Sequence, residues 1–243
     1  MADYIKLVES TINALRLLSE NHEGLGVREI SRLLEMNKST SHRLLLTLQK
    51  EGLVEFDELT QKYRMTLGIL QLINKIPQKS NLISASLPYM EELRDLTKET
   101  VALHIRVLNY RLVVAKVESN LELRWSPLIG KPYPLYQGAA SKVISAFLPQ
   151  KALTELMENL PDEINQMEYV HKIEDVRKQN YSISYGEIEP GGIGIAAPIF
   201  NHLNEFVGAI SVYAIESRTT QDKVNFIIQE VTRTVKQISK SLY

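Results

Sequence analysis

From Lys38 to Lys50 the chain carries two faces at one helical spacing, and that pattern limits the folds open to its first quarter. Ser41, Leu44, Leu45 and Leu48 fall at i, i+3, i+4 and i+7, the repeat that turns one side of a helix toward a core. Ser39, His42, Arg43, Leu46 and Lys50 fall at the same offsets on the opposite side, with Lys38 and Thr47 at its edges. A helix with leucines behind and hydroxyls, cations and an imidazole in front can be held in a small domain and still offer a reading surface. Asn37 stands where an N-cap belongs, and Gly52 stands where the helix must stop.

The flanking residues extend the pattern. Ile5, Val8, Ile12, Leu15 and Leu18 predict a first helix from about Asp3 to Asn21. Val27, Ile30, Leu33 and Leu34 predict a short second one, and Glu35-Met36-Asn37 a tight turn before the third. Val54-Glu55-Phe56 and Tyr63-Arg64-Met65 predict a hairpin around Asp57 to Lys62. Three helices followed by a hairpin make a winged helix-turn-helix over residues 1–66. On such a domain Lys38, Ser39, Thr40, His42, Arg43 and Thr47 are candidates for contact with double-stranded DNA. Hydroxyls and cations near a helix start donate to phosphate oxygens, while an arginine or lysine can instead fork onto guanine. Lys62 and Arg64, with Gln61, sit where a wing tracks the backbone. A solvated helical face and an ordinary polar turn are the alternatives.

Net charge is −1, whereas a nucleic-acid binder usually carries a basic excess. Attraction to phosphate must therefore be local. The run from Lys38 to Lys50 holds three cations and no acid, and Glu51, Glu55, Asp57 and Glu58 follow at once. A symmetric dimer doubles that patch without changing the balance. From Leu67 to Ile76 the residues Leu67, Ile69, Leu70, Leu72, Ile73 and Ile76 leave little polar face. Residues 67–81 read as a linker helix, and the same helix of a second subunit is the natural cover for it.

Residues 82–243 predict a mixed α+β domain with an antiparallel sheet. A helix carries Met90, Leu93 and Leu96; Val101 to Val107 and Arg111 to Glu118 form a hairpin, with Leu121 to Trp125 as a third strand. Gln137 to Leu148 is helical. Tyr181 to Tyr185, Gly192 to Phe200 and Phe206 to Ala214 read as strands, and a last helix carries Val224, Ile227, Val231, Val235, Ile238 and Leu242 on one stripe. There is no cysteine, which excludes disulfides and thiolate chemistry and fits a reducing cytoplasm. No secretion signal and no membrane-length apolar run is visible. Gly192-Ile193-Gly194-Ile195-Ala196-Ala197 imitates a dinucleotide loop, but Pro198 and the alternating apolar residues make it a strand. His22, His42, His104, His171 and His202 form no metal pair and lie near no nucleophile elbow, so no cofactor and no metal are expected.

Several runs resemble the IclR family of bacterial transcriptional regulators. They are Val27-Arg28-Glu29-Ile30-Ser31-Arg32-Leu33-Leu34, Asn37 through Leu48, Gly52-Leu53-Val54 and Lys62-Tyr63-Arg64-Met65. In the second half, Gly130, Pro134-Leu135-Tyr136, Ala139-Ala140-Ser141-Lys142, Asn180-Tyr181, Glu187, Gly191, Ala196-Ala197-Pro198 and Ala209-Ile210-Ser211-Val212 keep the family's order and spacing. The resemblance covers nearly the whole chain. It implies a winged helix-turn-helix, a linker helix and a GAF-like effector domain, in dimers often paired into tetramers on operator DNA. It also implies a small, often anionic, organic effector near the start of the central helix. The positions matching that site are Ala139, Ala140, Ser184, Gly194, Ser211 and Tyr213.

Ser211 and Tyr213 are two apart on one strand and so share a face. Ala139 and Ala140 are small enough to let a ligand approach backbone N–H groups. The hydroxyl at Ser184, the missing side chain at Gly194 and the phenol at Tyr213 depart from the family's usual residues and imply a reshaped pocket. Trp125 and Tyr136, with Tyr133, could wall it, and Arg106 and Arg124 are the candidate cations for a carboxylate. The expected function is a repressor of a small catabolic operon. An enzyme acting through the second domain is the rival, and a protein-docking helix-turn-helix a third.

Overall fold

The computed structural model describes residues 5–73 and 81–242, and the chain divides into two compact units, Met1–Gln78 and Lys79–Tyr243. In the first unit α1 (Lys6–Glu20), α2 (Val27–Leu33) and α3 (Lys38–Lys50) precede the hairpin of β1 (Val54–Asp57) and β2 (Lys62–Met65). Ala14, Leu18, Ile30, Leu44, Leu45, Leu48, Val54 and Tyr63 form one core between the helices and the hairpin. The turn between α2 and α3 is tied twice, since Met36 N–H donates to the Ser31 carbonyl and Ser31 Oγ to the Met36 carbonyl. Glu35 turns the chain there at φ +50°, a left-handed conformation held without glycine. Asn37 occupies the N-cap of α3, but its side chain makes no capping bond. The first N–H groups of α3 are therefore free of a side-chain acceptor.

Two glycines allow close approaches in this unit. Gly24, at φ +76°, lies against β2, where a Cβ would come within 2.5 Å of the Tyr63 carbonyl oxygen. Gly68 passes over the end of α3, where a Cβ would lie 1.9 Å from the Gly52 oxygen. Thr66 holds that crossing, donating from Oγ1 to the Gly52 oxygen and accepting from Gly68 N–H. The expected continuous helix from Leu67 begins instead as a 3-10 turn, Leu67–Ile69, before α4 (Leu70–Ile73). Its remaining stretch, residues 74–80 including Ile76, lies outside the described residues. Leu67, Leu70 and Leu72 are exposed in the single chain.

The second unit is a six-stranded antiparallel sheet with helices on both faces. Its elements are α5 (Asn81–Thr97), β3 (Thr100–Val107), β4 (Tyr110–Val117), β5 (Pro132–Pro134), α6 (Ala139–Ala146), α7 (Gln150–Glu158), α8 (Gln166–Gln179), β6 (Ser182–Tyr185), β7 (Gly192–Phe200), β8 (Phe206–Ile215) and α9 (Gln221–Ser241). The strand order is β5-β4-β3-β8-β7-β6. Residues 121–125 are not a strand; the edge beyond β4 is formed by β5, with Tyr133 opposite Arg111.

Strand alternation sorts the residues of the sheet into two layers. On β8, Ile210, Val212 and Ala214 join Met90 and Leu93 of α5 and the stripe Val224, Ile227, Val231, Val235 and Ile238 of α9. Ala209 faces the other layer, where Val143 and Ile144 of α6 meet Tyr169, Ile173 and Val176 of α8. Leu96, on the same helix as Met90 and Leu93, is 43% exposed at the end of α5. The segment Gly192–Phe200 is strand β7, as its alternation and Pro198 require.

Candidate functional site

The front of α3 is open. Lys38, Ser39, His42, Arg43, Leu46, Thr47 and Lys50 are exposed, Thr40 is half-buried, and Ser41, Leu44, Leu45 and Leu48 are buried behind them. Lys38, Arg43 and Lys50 have no ion pair among the described residues, so their charge is available to an outside partner. Thr47 turns its hydroxyl back onto the Arg43 carbonyl at 2.8 Å, as a mid-helix threonine commonly does. On the hairpin, Lys62 is half-buried and unpaired among the described residues. Arg64 is committed internally. Its Nη2 lies 3.5 Å from Asp57, and its Nε donates to the Glu23 carbonyl at 3.3 Å. Arg64 thus braces the hairpin first, which sets it apart from Lys62.

In the second unit, pairing across β6, β7 and β8 places Ser184 opposite Gly194 and Gly194 opposite Tyr213, while Ser211 pairs with Ala196. Ser184, Gly194 and Tyr213 therefore form one row across three strands. A Cβ on Gly194 would meet Ser184 Oγ at 2.8 Å and the Ala139 Cβ at 3.6 Å, so the missing side chain lets α6 sit close over the row. Arg111, Trp125, Ala139, Ala140, Ser184, Ile188, Gly194, Ser211 and Tyr213 line a cavity there of about 10 Å³. No carboxylate lines it. As it stands that space is on the scale of one water molecule, so a larger guest requires lining side chains to move.

Seven of the eight expected effector residues meet in this cavity. Tyr136 does not. It lines a separate cleft of about 260 Å³ with Lys142, Glu168, Tyr169, Lys172 and Glu187. The expected cations also lie elsewhere. Arg106 is turned onto the Leu108 carbonyl, and Arg124 pairs with Glu118. The cation of the cavity is Arg111, 1% exposed, stacked 4.4 Å from the Tyr133 ring centroid.

Arg111 stands in a polar chain. Its Nε donates to Ser141 Oγ at 3.0 Å, and its Nη1 donates to His104 Nδ1 at 3.0 Å and to Tyr213 Oη at 3.1 Å. Arginine only donates, so His104 Nδ1 must accept and the ring proton resides on Nε2. Burial, reinforced by the charge of Arg111, holds the His104 pKa well below the usual histidine range, so the ring is neutral. Its Nε2–H donates to Ser211 Oγ at 2.6 Å, with Tyr213 Oη further off at 3.2 Å. The Ser211 and Tyr213 oxygens thus accept within the chain, which leaves their protons to be donated. Arg111 Nη2 is buried and has no hydrogen-bond partner among the described residues. The cavity presents donors and one cation, and lacks their acceptor.

The sequence predicts this hairpin but not the side to which Arg111 points, which the register sets opposite Arg106 and beside His104. Plain alternation puts Arg111, Val113 and Ala115 on one face. The register instead shifts between Leu103 and His104, which pair with Ala115 and Val113, so Val114 is the extra residue. Ala115 joins the α5/α9 core with Leu103, while Val113 is buried on the cavity side with Ala102 and Tyr213. The signal within reach was the hairpin register itself, which sets Arg111 opposite Arg106 and on one face with His104.

Two sequence comparisons bear on both surfaces. Residues 8–58 match the IclR helix-turn-helix domain, and residues 75–240 match the bacterial transcriptional regulator IclR C-terminal domain. The chain belongs to the IclR family of bacterial transcriptional regulators. It is 30% identical over 236 residues to the HTH-type transcriptional regulator KipR of Bacillus subtilis, covering 94% of each chain. It is 29% identical over 234 residues to the glycerol operon regulatory protein of Streptomyces coelicolor, covering 91% of this chain and 89% of that one. An IclR regulator structure from Alicyclobacillus acidocaldarius superposes with a TM-score of 0.84 at 21% identity, over 98% of this chain and 99% of the other. The family and its named relatives are DNA-binding regulators, not enzymes, and α3 belongs to the family's helix-turn-helix. Among the described residues no helix is long and apolar enough to cross a membrane.

Proposed function

We propose that this regulator is a cytoplasmic repressor of a small catabolic operon, released or tightened on its operator by a small organic acid. The observation that carries the acid is the buried Arg111 Nη2, a cation nitrogen with no hydrogen-bond partner among the described residues, in a cavity lined by hydroxyls and no carboxylate. A buried charge without a counter-ion is costly, and a ligand carboxylate supplies both the counter-charge and the acceptor that Nη2 lacks. Operon control is supported by the relative named for the glycerol operon.

On the DNA side, α3 enters the major groove with Lys38, Ser39, Thr40, His42 and Arg43 forward, Thr47 further along, and Lys62 and Arg64 beside the backbone. Two subunits place two such helices on one face of the duplex. The exposed Leu67, Leu70 and Leu72 supply apolar surface for that pairing, and tetramers follow from pairing dimers. The effector acts by linkage, shifting DNA affinity only as far as it prefers one arrangement of the subunits.

The test is binding to a labelled duplex taken from the DNA beside the regulator's own gene, followed between about 50 and 200 mM salt, the range over which phosphate contacts weaken binding strongly. Two chains per duplex, with affinity falling steeply across that range, are expected. No binding to any duplex at the lower salt would contradict the operator reading.

A further inference from the structure

The start of α6 is occupied by the protein itself. Gly138 N–H donates to Glu187 Oε2 at 2.9 Å, and Ala139 N–H donates to Ser184 Oγ at 3.1 Å. The other oxygen of Glu187 pairs with Lys142 Nζ, on a residue only 5% exposed one turn into the helix. Ile188, next in sequence, covers Gly138 and lines the cavity. Glu187 therefore lines the neighbouring cleft with Ile188 standing between it and the cavity, and one carboxylate satisfies both the positive end of α6 and the buried ammonium.

We infer that Glu187 makes the cavity selective for monocarboxylates, by taking the anion seat at the start of α6 and leaving Arg111 as the single open receptor. A ligand with one carboxylate pairs with Arg111 and finds hydroxyl donors in Ser211 and Tyr213. A second carboxylate on the same ligand finds the α6 N–H groups and Lys142 taken. Beyond the lining Ile188 it faces the fixed negative charge of Glu187, with Glu189 exposed two residues on. It must then be desolvated without a partner. This inference rests on the organic-acid reading above, and its failure is distinguishable from the failure of that reading.

The experiment is thermal shift and titration calorimetry of the full chain with acids matched except for one carboxylate, such as propanoate with succinate and benzoate with terephthalate. The wild-type protein should prefer the monocarboxylate of a pair by at least about tenfold, the size of one lost charge-assisted contact. Glu187→Gln keeps an acceptor for Gly138 N–H, removes the charge and frees Lys142. It should gain affinity for the dicarboxylate and close the gap to within about threefold. Glu187→Asp, too short to reach both Gly138 and Lys142, should fall between the two. If the wild type binds both members of each pair alike, or the dicarboxylate more tightly, the inference about Glu187 fails while the acid reading stands. The same holds if folded Glu187→Gln keeps the full preference. If no acid of either class shifts the wild type, the organic-acid reading fails and takes the inference with it. Should Glu187→Gln not fold, the wild-type ratio alone decides.

Discussion

Helix α3 and the cavity beneath α6 are both recognition surfaces, yet they are built in opposite ways. The α3 surface comes from one continuous segment whose front is exposed and whose three cations are unpaired among the described residues. The cavity comes from β4, α6, β6, β7 and β8 with Trp125 and Ile188 from loops, residues as far apart as Arg111 and Tyr213, and its one lining cation is almost wholly buried. The first is a solvated patch that works by number and register. The second is a desolvated site in which a single group decides. Charges on the first should be individually cheap and strongly screened by salt, while the charge in the second should be dear and nearly indifferent to salt.

The widest contrast lies inside α3 itself. Leu45 is fully buried and Leu46, the next residue, is 46% exposed. Leu45→Ala should destabilise the DNA-binding unit by about 2–5 kcal/mol in urea unfolding, and Leu46→Ala by less than about 0.5 kcal/mol. Equal losses would mean that the two faces of the helix are wrongly assigned.

A smaller effect is expected from Arg43→Ala. Operator binding should weaken by about 1–2 kcal/mol at low salt, and the log–log salt slope should flatten by about one unit, because one phosphate contact is lost. A loss that does not change with salt would point to base contact instead of phosphate, or to no contact in the complex.

The smallest effect concerns His104. Its folded pKa is depressed, so at acid pH the unfolded chain binds a proton that the folded one refuses. The stabilising effect is therefore complete above the ordinary value of 6.5 and is lost as pH falls below it. Thermal unfolding should show stability declining below that pH with a slope of up to about 1.4 kcal/mol per pH unit, and His104→Gln should remove that part of the slope. An unchanged slope in His104→Gln would show that the ring is not held neutral in the folded protein.

The two surfaces also differ in how far the sequence reveals them. The α3 register was legible because a helical face is a local repeat, and Ser41, Leu44, Leu45 and Leu48 are buried as their spacing requires. The cavity was legible only in part. Its resemblance-borne positions, Ala139, Ala140, Ser184, Gly194, Ser211 and Tyr213, do come together, and Trp125 joins them. Tyr136 does not, because α6 separates two hollows and Tyr136 stands at the other. Arg106 and Arg124 were plausible as flanking cations, but the hairpin register sets Arg111 opposite Arg106 on the side of His104 and Tyr213, and the bulge at Val114 parts it from Ala115 in the core. Glu187 was visible as a motif residue. Its role depends on a turn that brings it back to Gly138, across 49 residues of sequence.

The most direct measurement joins the two surfaces. A labelled duplex from the DNA beside the gene is titrated with wild-type protein and with Arg111→Met. Each titration is run with and without the monocarboxylate that gives the largest thermal shift. The account predicts that the acid changes wild-type operator affinity by about 5- to 150-fold. Arg111→Met should bind operator within about twofold of the unliganded wild type and lose the response, because removing one partner of a buried charge pair costs about 2–5 kcal/mol. An Arg111→Met protein that still responds at the same acid concentration would contradict the account.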